Sequence, residues 1–486
     1  MRPFLHEDHG ENDRRVFPLQ AAKKPAAQVN DLNVKTRLLS VLTVLVLLGG
    51  LVYVAIRGGE NAGSSSELLF SRRKTIDLWY TDDSMTDYLK SVCVAYTDSQ
   101  SDYRVEPTLI DDTDYLQKIY EASVSGEDYP DVFLAGNDLL ERLWLTGLAT
   151  QVQDETHFSG NRFFCQPALD AVTYQGKTIA YPMSFEAAAF LYNEDYLQSM
   201  ANAAGKSLED TVPRTMVDVI TLANDYDAPD NVSSVLKWDV GDIFYNYCFL
   251  GNYMDIGGAC GDDTSLLHVY NQQLISCLQV YQQLNQFFSI DSSSDGYDSV
   301  IQDFAAGKIV FTLATSDSVS KIAKYCKENG TTLNYGVTSI PDLTGDLKSK
   351  TLSITNCLVV NGYSDQQEAA NAFCQYLLFS GMEHFFDLTG KAPAVAGYSF
   401  SDEHMNGFYD AYTDSAPITK LRSASNFWML LENTFSQVWD GEDPNEQLRQ
   451  LCQQLLIQMT GQDNVQVETI SNPAYVDIRS ELQGGE

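Results

Sequence analysis

An ionisable side chain set between two apolar runs constrains this chain more than any other feature. Residues 171–196 read AVTYQGKTIAYPMSFEAAAFLYNEDY. The polar turn at 174–177 contains Gly176, which permits the positive φ of a tight hairpin. The apolar run 178–182 is predicted as a strand that Pro182 stops, and 187–192 as a buried strand. Asn193 has the form of a helix N-cap, with Glu194 and Asp195 in the first turn. Between the two strands stand Met183, Ser184, Phe185 and Glu186. Burying the Glu186 carboxylate without a partner would cost several kcal/mol, so this segment must face water, a partner or a ligand.

Strand and helix patterns alternate from residue 74 onward. Strands are predicted at 75–80, 103–110 and 130–134, and helices at 83–96 and 114–122, the first with Tyr88, Leu89, Val92 and Tyr96 on one face. This alternation implies an α/β fold with a mainly parallel sheet covered on both faces. Ligands of such sheets sit beyond the carboxyl ends of the strands. Two loops fall there, one with Asp82 and Asp83, the other with Asn137 and Asp138. Helix capping alone accounts for part of that pattern. Further along, 215–224 and 271–288 read as helices, the second with Leu274, Leu278, Tyr281 and Leu284 as a core face. The stretch 242–250 collects Phe244, Tyr245 and Tyr247, either as core or as a ligand surface.

A formal net charge of −35 disfavours nucleic-acid binding, because phosphate contacts need a basic face. It suits a protein bathed in solvent outside a cell. Residues 1–37 are polar, with seven basic and five acidic side chains, and cannot supply a compact core. Residues 38–56 carry no charge over 19 positions between Lys35/Arg37 and Arg57, enough to span ~28 Å as a helix. The long preceding segment, the length of the apolar run and the lack of an Ala-x-Ala site argue for a retained signal anchor over a cleaved signal peptide. The basic flank then keeps the N-terminus inside. Residues 57–73 are Gly/Ser-rich and read as a flexible tether.

No metal or cofactor is expected. The run Asp291, Ser293, Asp295, Gly296 and Asp298 has the beginning of a calcium loop, but Gln302 stands where the bidentate Glu belongs. The six histidines form no zinc motif, and the nine cysteines include no C-x-x-C pair. Most read as small buried hydrophobes. A Cys248–Cys260 bridge is the one pairing that proximity suggests, and sequence cannot supply its geometry.

The stretch 171–196 resembles the hinge-crossing segment of bacterial extracellular solute-binding proteins of the maltose-binding type, the receptors of ABC importers. Other motifs follow in the same order: PDVFLAGNDLLERLWLTGLATQV at 130–152, FAAGKIVF at 304–311 with its loop Thr315, Ser316, Asp317, then Tyr335-Gly336-Val337, EAANAFCQYL at 368–377, Gly390-Lys391-Ala392-Pro393 and Asn426-Phe427-Trp428. The matches extend from residue 74 to residue 459. One departure stands out. Several sugar-binding members carry a Trp after the Gly-Lys strand, and here Asp317 stands near that position.

The resemblance implies a two-lobe, periplasmic-binding-protein-like fold of type II over 74–460, preceded by one transmembrane helix and followed by a tail at 461–486. It implies a monomeric, cell-membrane protein with its binding domain outside. Such a protein captures a small solute, a sugar above all, by hinge closure and hands it to the subunits of an ABC permease. The expected ligand set is Asp82, Asp83, Asn137, Asp138, Ser184, Glu186, Asp242, Tyr245, Ser316, Asp317, Asn356 and Trp428, with the hinge near 182–186 and a return strand at 352–360. Loss of the stacking Trp weighs against maltodextrin-like ligands and leaves smaller or more polar sugars and cationic solutes open. Two alternatives stand beside this. The fold could serve an anchored sensor or scaffold, or two of the carboxylates could act as a glycosidase pair. The second has nothing beyond the presence of acids in its favour, so the chain is read as a binding protein and not an enzyme.

Overall fold

A computed structural model of the chain describes residues 73–478, apart from 111, 226, 289 and 291–295. The tail, the apolar run at 38–56, most of the tether and the first part of the Asp-rich run at 291–298 lie outside the described residues. Among the described residues no helix is long and apolar enough to cross a membrane.

In chain order the strands are β1 (Lys74–Tyr80), β2 (Tyr103–Leu109), β3 (Val132–Gly136), β4 (Thr173–Tyr174), β5 (Lys177–Thr178), β6 (Tyr181–Ala187), β7 (Ala189–Asn193), β8 (Ser234–Leu236), β9 (Asp255–Ile256), β10 (Leu267–His268), β11 (Ile309–Ala314), β12 (Tyr335–Thr338), β13 (Leu352–Val360), β14 (Ala392–Pro393) and β15 (Ala416–Pro417). The first lobe is built on a seven-stranded sheet ordered β14-β6-β13-β3-β1-β2, with β15 on β13, and the second on a four-stranded sheet ordered β12-β7-β11-β8. The chain passes between the sheets at Ala188, which is fully buried, and returns between β12 and β13.

The first sheet is mixed, not mainly parallel. β1, β2 and β3 run parallel, whereas β13 opposes both β3 and β6. A helix crossover within one lobe forces parallel pairing; β13 arrives from the other lobe and carries no such constraint.

Pro182 does not end its strand. β6 runs through it to Ala187, so Ser184 and Glu186 sit on a strand and not in a loop. Ser184 faces Asn356 and Pro182 faces Cys357, leaving Met183 over as a bulge. A residue without an N–H is tolerated at a bulge, where the ladder is already interrupted. The predicted run 178–182 divides instead into the β4–β5 hairpin and the start of β6. The crossing lies accordingly at Ala188, just beyond 182–186.

Helix Thr86–Ser99 buries Tyr88, Leu89, Val92 and Tyr96, and helix Gln272–Phe288 buries Leu274, Leu278, Tyr281 and Leu284, as their spacing requires. The second lobe closes around Trp238, Phe249, Tyr281, Phe435 and Trp439. Residues 462–478 belong to this lobe. Ile478 is fully buried, and its N–H donates to Gln283 Oε1 at 3.2 Å. An apolar series, Ile470, Val476 and Ile478, holds this segment to the core. All nine cysteines are free thiols, Cys248 and Cys260 included.

Candidate functional site

The carboxyl ends of β1, β3, β6 and β11 converge between the two lobes. Two basins open there. One, of about 240 Å³, is lined by Asp82, Gly136, Ser184, Glu186, Asn356 and Lys391 among others. The second, of about 370 Å³, is lined by Ser184, Glu186, Tyr245, Tyr297, Ser316 and Asp317 among others. Ser184, Glu186 and Lys391 border both, so the basins form one cleft. A larger cavity of about 570 Å³ runs beside Tyr192 and the edge strand β12, with Arg214, Ser339 and Asp342 in its walls. It lacks the convergence of strand ends and the stacked aromatics of the cleft.

Each wall of the cleft is organised by local chemistry. At the end of β1, Asp82 caps the following turn by accepting the Ser84 N–H at 2.9 Å. It also pairs with Lys391 Nζ at 2.6 Å. Burial would raise the Asp82 carboxyl, but the hydrogen bonds from Lys391 and Ser84 outweigh it and hold the group below the usual carboxylate range. On the opposite wall, Tyr245 stacks on Tyr297 with centroids 5.2 Å apart and planes 14° from parallel. The Tyr297 hydroxyl donates to Asp317 Oδ1 at 2.8 Å, and Thr315 donates to the same oxygen. Lys321 Nζ pairs with Asp317 Oδ2 at 3.0 Å and lies 4.5 Å from the Tyr297 ring centroid, a cation–π contact.

Glu186 lies between these walls. Its carboxylate reaches the water of the cleft and has no hydrogen-bond or ion-pair partner among the described residues. The surrounding protein strips part of its hydration and pushes its pKa up; Lys391 pulls it down, and Asp317 and Asp82 add to the rise. An acceptor held in this way favours a donor supplied from outside.

The cleft therefore gathers Asp82, Ser184, Glu186, Tyr245, Ser316, Asp317 and Asn356 of the expected set. Five others fall elsewhere. Asp83 is exposed and accepts the Thr86 hydroxyl at 3.0 Å. Asn137 is fully buried; its amide donates to the Ile418 carbonyl at 3.1 Å and accepts the Thr355 N–H at 2.9 Å. Asp138 follows on the same 3-10 turn, outside both basins. Asp242 caps helix Ile243–Asn246 by accepting the Phe244 N–H at 2.8 Å. Trp428 lines a separate cavity of about 270 Å³, 5.7 Å from Tyr247 between ring centroids. Sequence reasoning missed Lys391, Tyr297, Thr315 and Lys321. Lys391 stands in the Gly-Lys-Ala-Pro landmark and could have been found there; Tyr297 sits in the run read for calcium, and its stacking has no local signature. Beside Asp317, where the family pattern has a Trp, stands the stacked pair Tyr245 and Tyr297.

Comparison with known proteins gives a consistent picture. Residues 91–404 match the family described as bacterial extracellular solute-binding protein. The chain is 22% identical over 329 residues to a maltodextrin-binding protein of Bacillus subtilis (strain 168), covering 64% of this chain and 73% of the relative. Among solved structures, an extracellular solute-binding protein from Staphylococcus aureus in complex with maltose aligns with a TM-score of 0.67 at 18% identity, over 80% of this chain and 98% of that one. A maltose-binding periplasmic protein from Listeria monocytogenes in complex with maltose aligns with a TM-score of 0.66 at 20% identity, over 81% of this chain and 100% of the other.

Proposed function

The chain belongs to the bacterial extracellular solute-binding protein family, and from that premise we propose that it captures a sugar in the cleft around Glu186 and presents it to an ABC importer. The observation that carries this reading is the Glu186 carboxylate, without a partner among the described residues, in a basin that it shares with a stacked tyrosine pair. Aromatic faces suit the C–H surfaces of a sugar ring, while fixed polar groups take its hydroxyls. Glu186, Ser184 and Asn356 accept or donate to hydroxyl groups; Tyr245 and Tyr297 pack against the ring; Lys391 and Lys321 hold Asp82 and Asp317 in place. Hinge motion at Ala188 and at the return into β13 closes the lobes over the solute and shifts the population toward a state the permease engages. The maltodextrin and maltose named for the relatives make a glucose-based ligand the first to try. In this reading residues 38–56 anchor the protein in the cell membrane.

A second reading has one observation in its favour. Both cleft lysines are paired, with Asp82 and Asp317, which leaves Glu186 as a surplus negative charge suited to an amine-bearing solute. A thermal-shift screen of the full-length protein against mono- and disaccharides, polyamines and amino acids separates the two, because a ligand that binds only the folded state raises Tm by mass action. A rise with a saccharide that Glu186→Gln abolishes supports the sugar reading. A rise with polyamines alone replaces it, and no rise with any compound speaks for an anchored sensor or scaffold.

A further inference from the structure

Carboxylates outnumber cations in the cleft. Asp82, Glu186 and Asp317 line it against Lys321 and Lys391. Lys391 Nζ pairs with Asp82 at 2.6 Å. Lys321 Nζ is divided between two acids, Asp317 at 3.0 Å and Asp298 at 2.5 Å. The further basin that Lys321 borders adds Asp298 and Glu328 against Lys324, so the excess is not made up there. Behind the stacked tyrosines the sign is the same. Asp239 Oδ2 accepts the Tyr297 N–H at 2.9 Å, and Asp242 caps the helix that carries Tyr245.

The excess falls on Glu186, the carboxylate of the three that has no partner among the described residues. It borders both basins, and in the second it stands with Tyr245 and Tyr297. Burial pushes its pKa up, and Asp317 and Asp82 add to the rise. A sugar hydroxyl satisfies the lone pairs of such a group but leaves its charge; an ammonium answers both, because an opposite charge favours the ionised carboxylate. An acidic sugar meets the reverse. Each lysine lining the cleft already holds a carboxylate, so a ligand carboxylate or phosphate gains a cation only by unpairing Asp82 or Asp317.

Resting on the reading of the Glu186 cleft as the sugar site, we infer that the ligand is a sugar bearing a protonated amine, and that Glu186 is the residue that selects it. The ring packs on the Tyr245–Tyr297 pair, its hydroxyls meet Ser184 and Ser316, which both donate and accept, and the ammonium binds the Glu186 carboxylate. Sugars are thereby ranked by charge: amine-bearing above neutral, and neutral above acidic.

Isothermal titration of the full-length protein near pH 6, where a sugar amine is an ammonium ion, tests this. The compounds are glucosamine, galactosamine and the glucosamine dimer, the N-acetyl form of each, glucose, maltose, glucuronate and putrescine. At least one amine-bearing sugar is expected to bind about tenfold or more tightly than its N-acetyl form and than glucose or maltose, with glucuronate weakest. Its affinity should fall with added salt while that of a neutral sugar holds. In Glu186→Gln the ratio of amine to N-acetyl affinity should drop below about twofold. Equal binding of the amine and N-acetyl forms, or glucuronate binding as well as the amines, overturns selection by charge and leaves the sugar reading standing. Putrescine binding above every sugar, or no binding by any compound, overturns both. A ratio unchanged in Glu186→Gln removes Glu186 as the selecting residue; should that variant lose its cooperative thermal transition, the ranking and its salt dependence in the natural protein still decide.

Discussion

The two lobes meet in two places of opposite character. At one, a strap formed by residues 418–422, the charged and polar groups that reach across find protein partners: Asn137 holds Ile418 and Thr355, Glu141 holds Arg422 and Tyr174, and the Lys420 ammonium holds two carbonyls. In the cleft, Asp82 and Asp317 are paired but Glu186 is left open. Buried polar groups that are satisfied internally stabilise one arrangement; an acceptor presented without a partner is available to a ligand. The contrast separates residues of the same type. Asn137 and Glu186 both stand in the expected ligand set, and their surroundings separate them: one is satisfied within the protein, the other has no partner among the described residues.

The division predicts that strap variants lose stability while cleft variants lose affinity. Asn137→Ala strands the Ile418 carbonyl and the Thr355 N–H, each costing about 1–3 kcal/mol when buried. Urea unfolding should show a loss of about 4 kcal/mol, and a loss below about 1 kcal/mol would mean that the strap opens readily.

Lys420 sharpens the same contrast through pH. Burial pushes its pKa down to about 8 from the ordinary 10.5. Between those values the unfolded chain binds the proton and the folded chain does not, so this residue makes stability rise with pH across that window. Below about 8 its full cost of about 3 kcal/mol is present. The difference in unfolding free energy between the natural protein and Lys420→Met, followed from pH 8 to 10, should change by that order; parallel curves would break the assignment.

On the cleft side, Glu186→Gln removes a charged acceptor worth about 1.5–3 kcal/mol to a hydroxyl donor. Saccharide affinity should fall by about tenfold or more, with Tm unchanged or slightly raised, since the carboxylate is held at a cost in the empty cleft. Ligand donors favour the ionised form, so affinity of the natural protein should also fall as pH drops through the raised Glu186 pKa. A flat titration profile would place the ligand elsewhere. The smallest effect is expected for Tyr245→Phe. The hydroxyl makes only a long 3.4 Å contact with Thr315, so affinity should move by less than about threefold, whereas Tyr245→Ala removes the stacking face and should cost about 0.5–1.5 kcal/mol beyond lost area.

Local patterns made much of the fold legible. The helical faces at Tyr88–Tyr96 and Leu274–Leu284, the N-cap at Asn193, which accepts the Tyr196 N–H, and a cleft at strand ends all follow from residue spacing and backbone chemistry. So did the position of Glu186: a carboxylate between apolar runs has few places to go. The errors share one cause. Pro182 was read by its own propensity, and the bulge that accommodates it depends on β13, some 170 residues away. The packing of residues 462–478 likewise rests on distant partners, Gln272, Gln283 and Asn445.

The sequence by itself determined the alternation of elements, the family resemblance and the acids from which a site could be made, because these reside in short-range pattern. It took the folded chain to show that Asn137 is satisfied inside the protein and Glu186 is not, that Tyr297 stacks on Tyr245, and that Trp428 lines a separate cavity. Those outcomes depend on which groups meet across tens to hundreds of residues of chain. A polar side chain becomes structural or functional according to whether that meeting satisfies it.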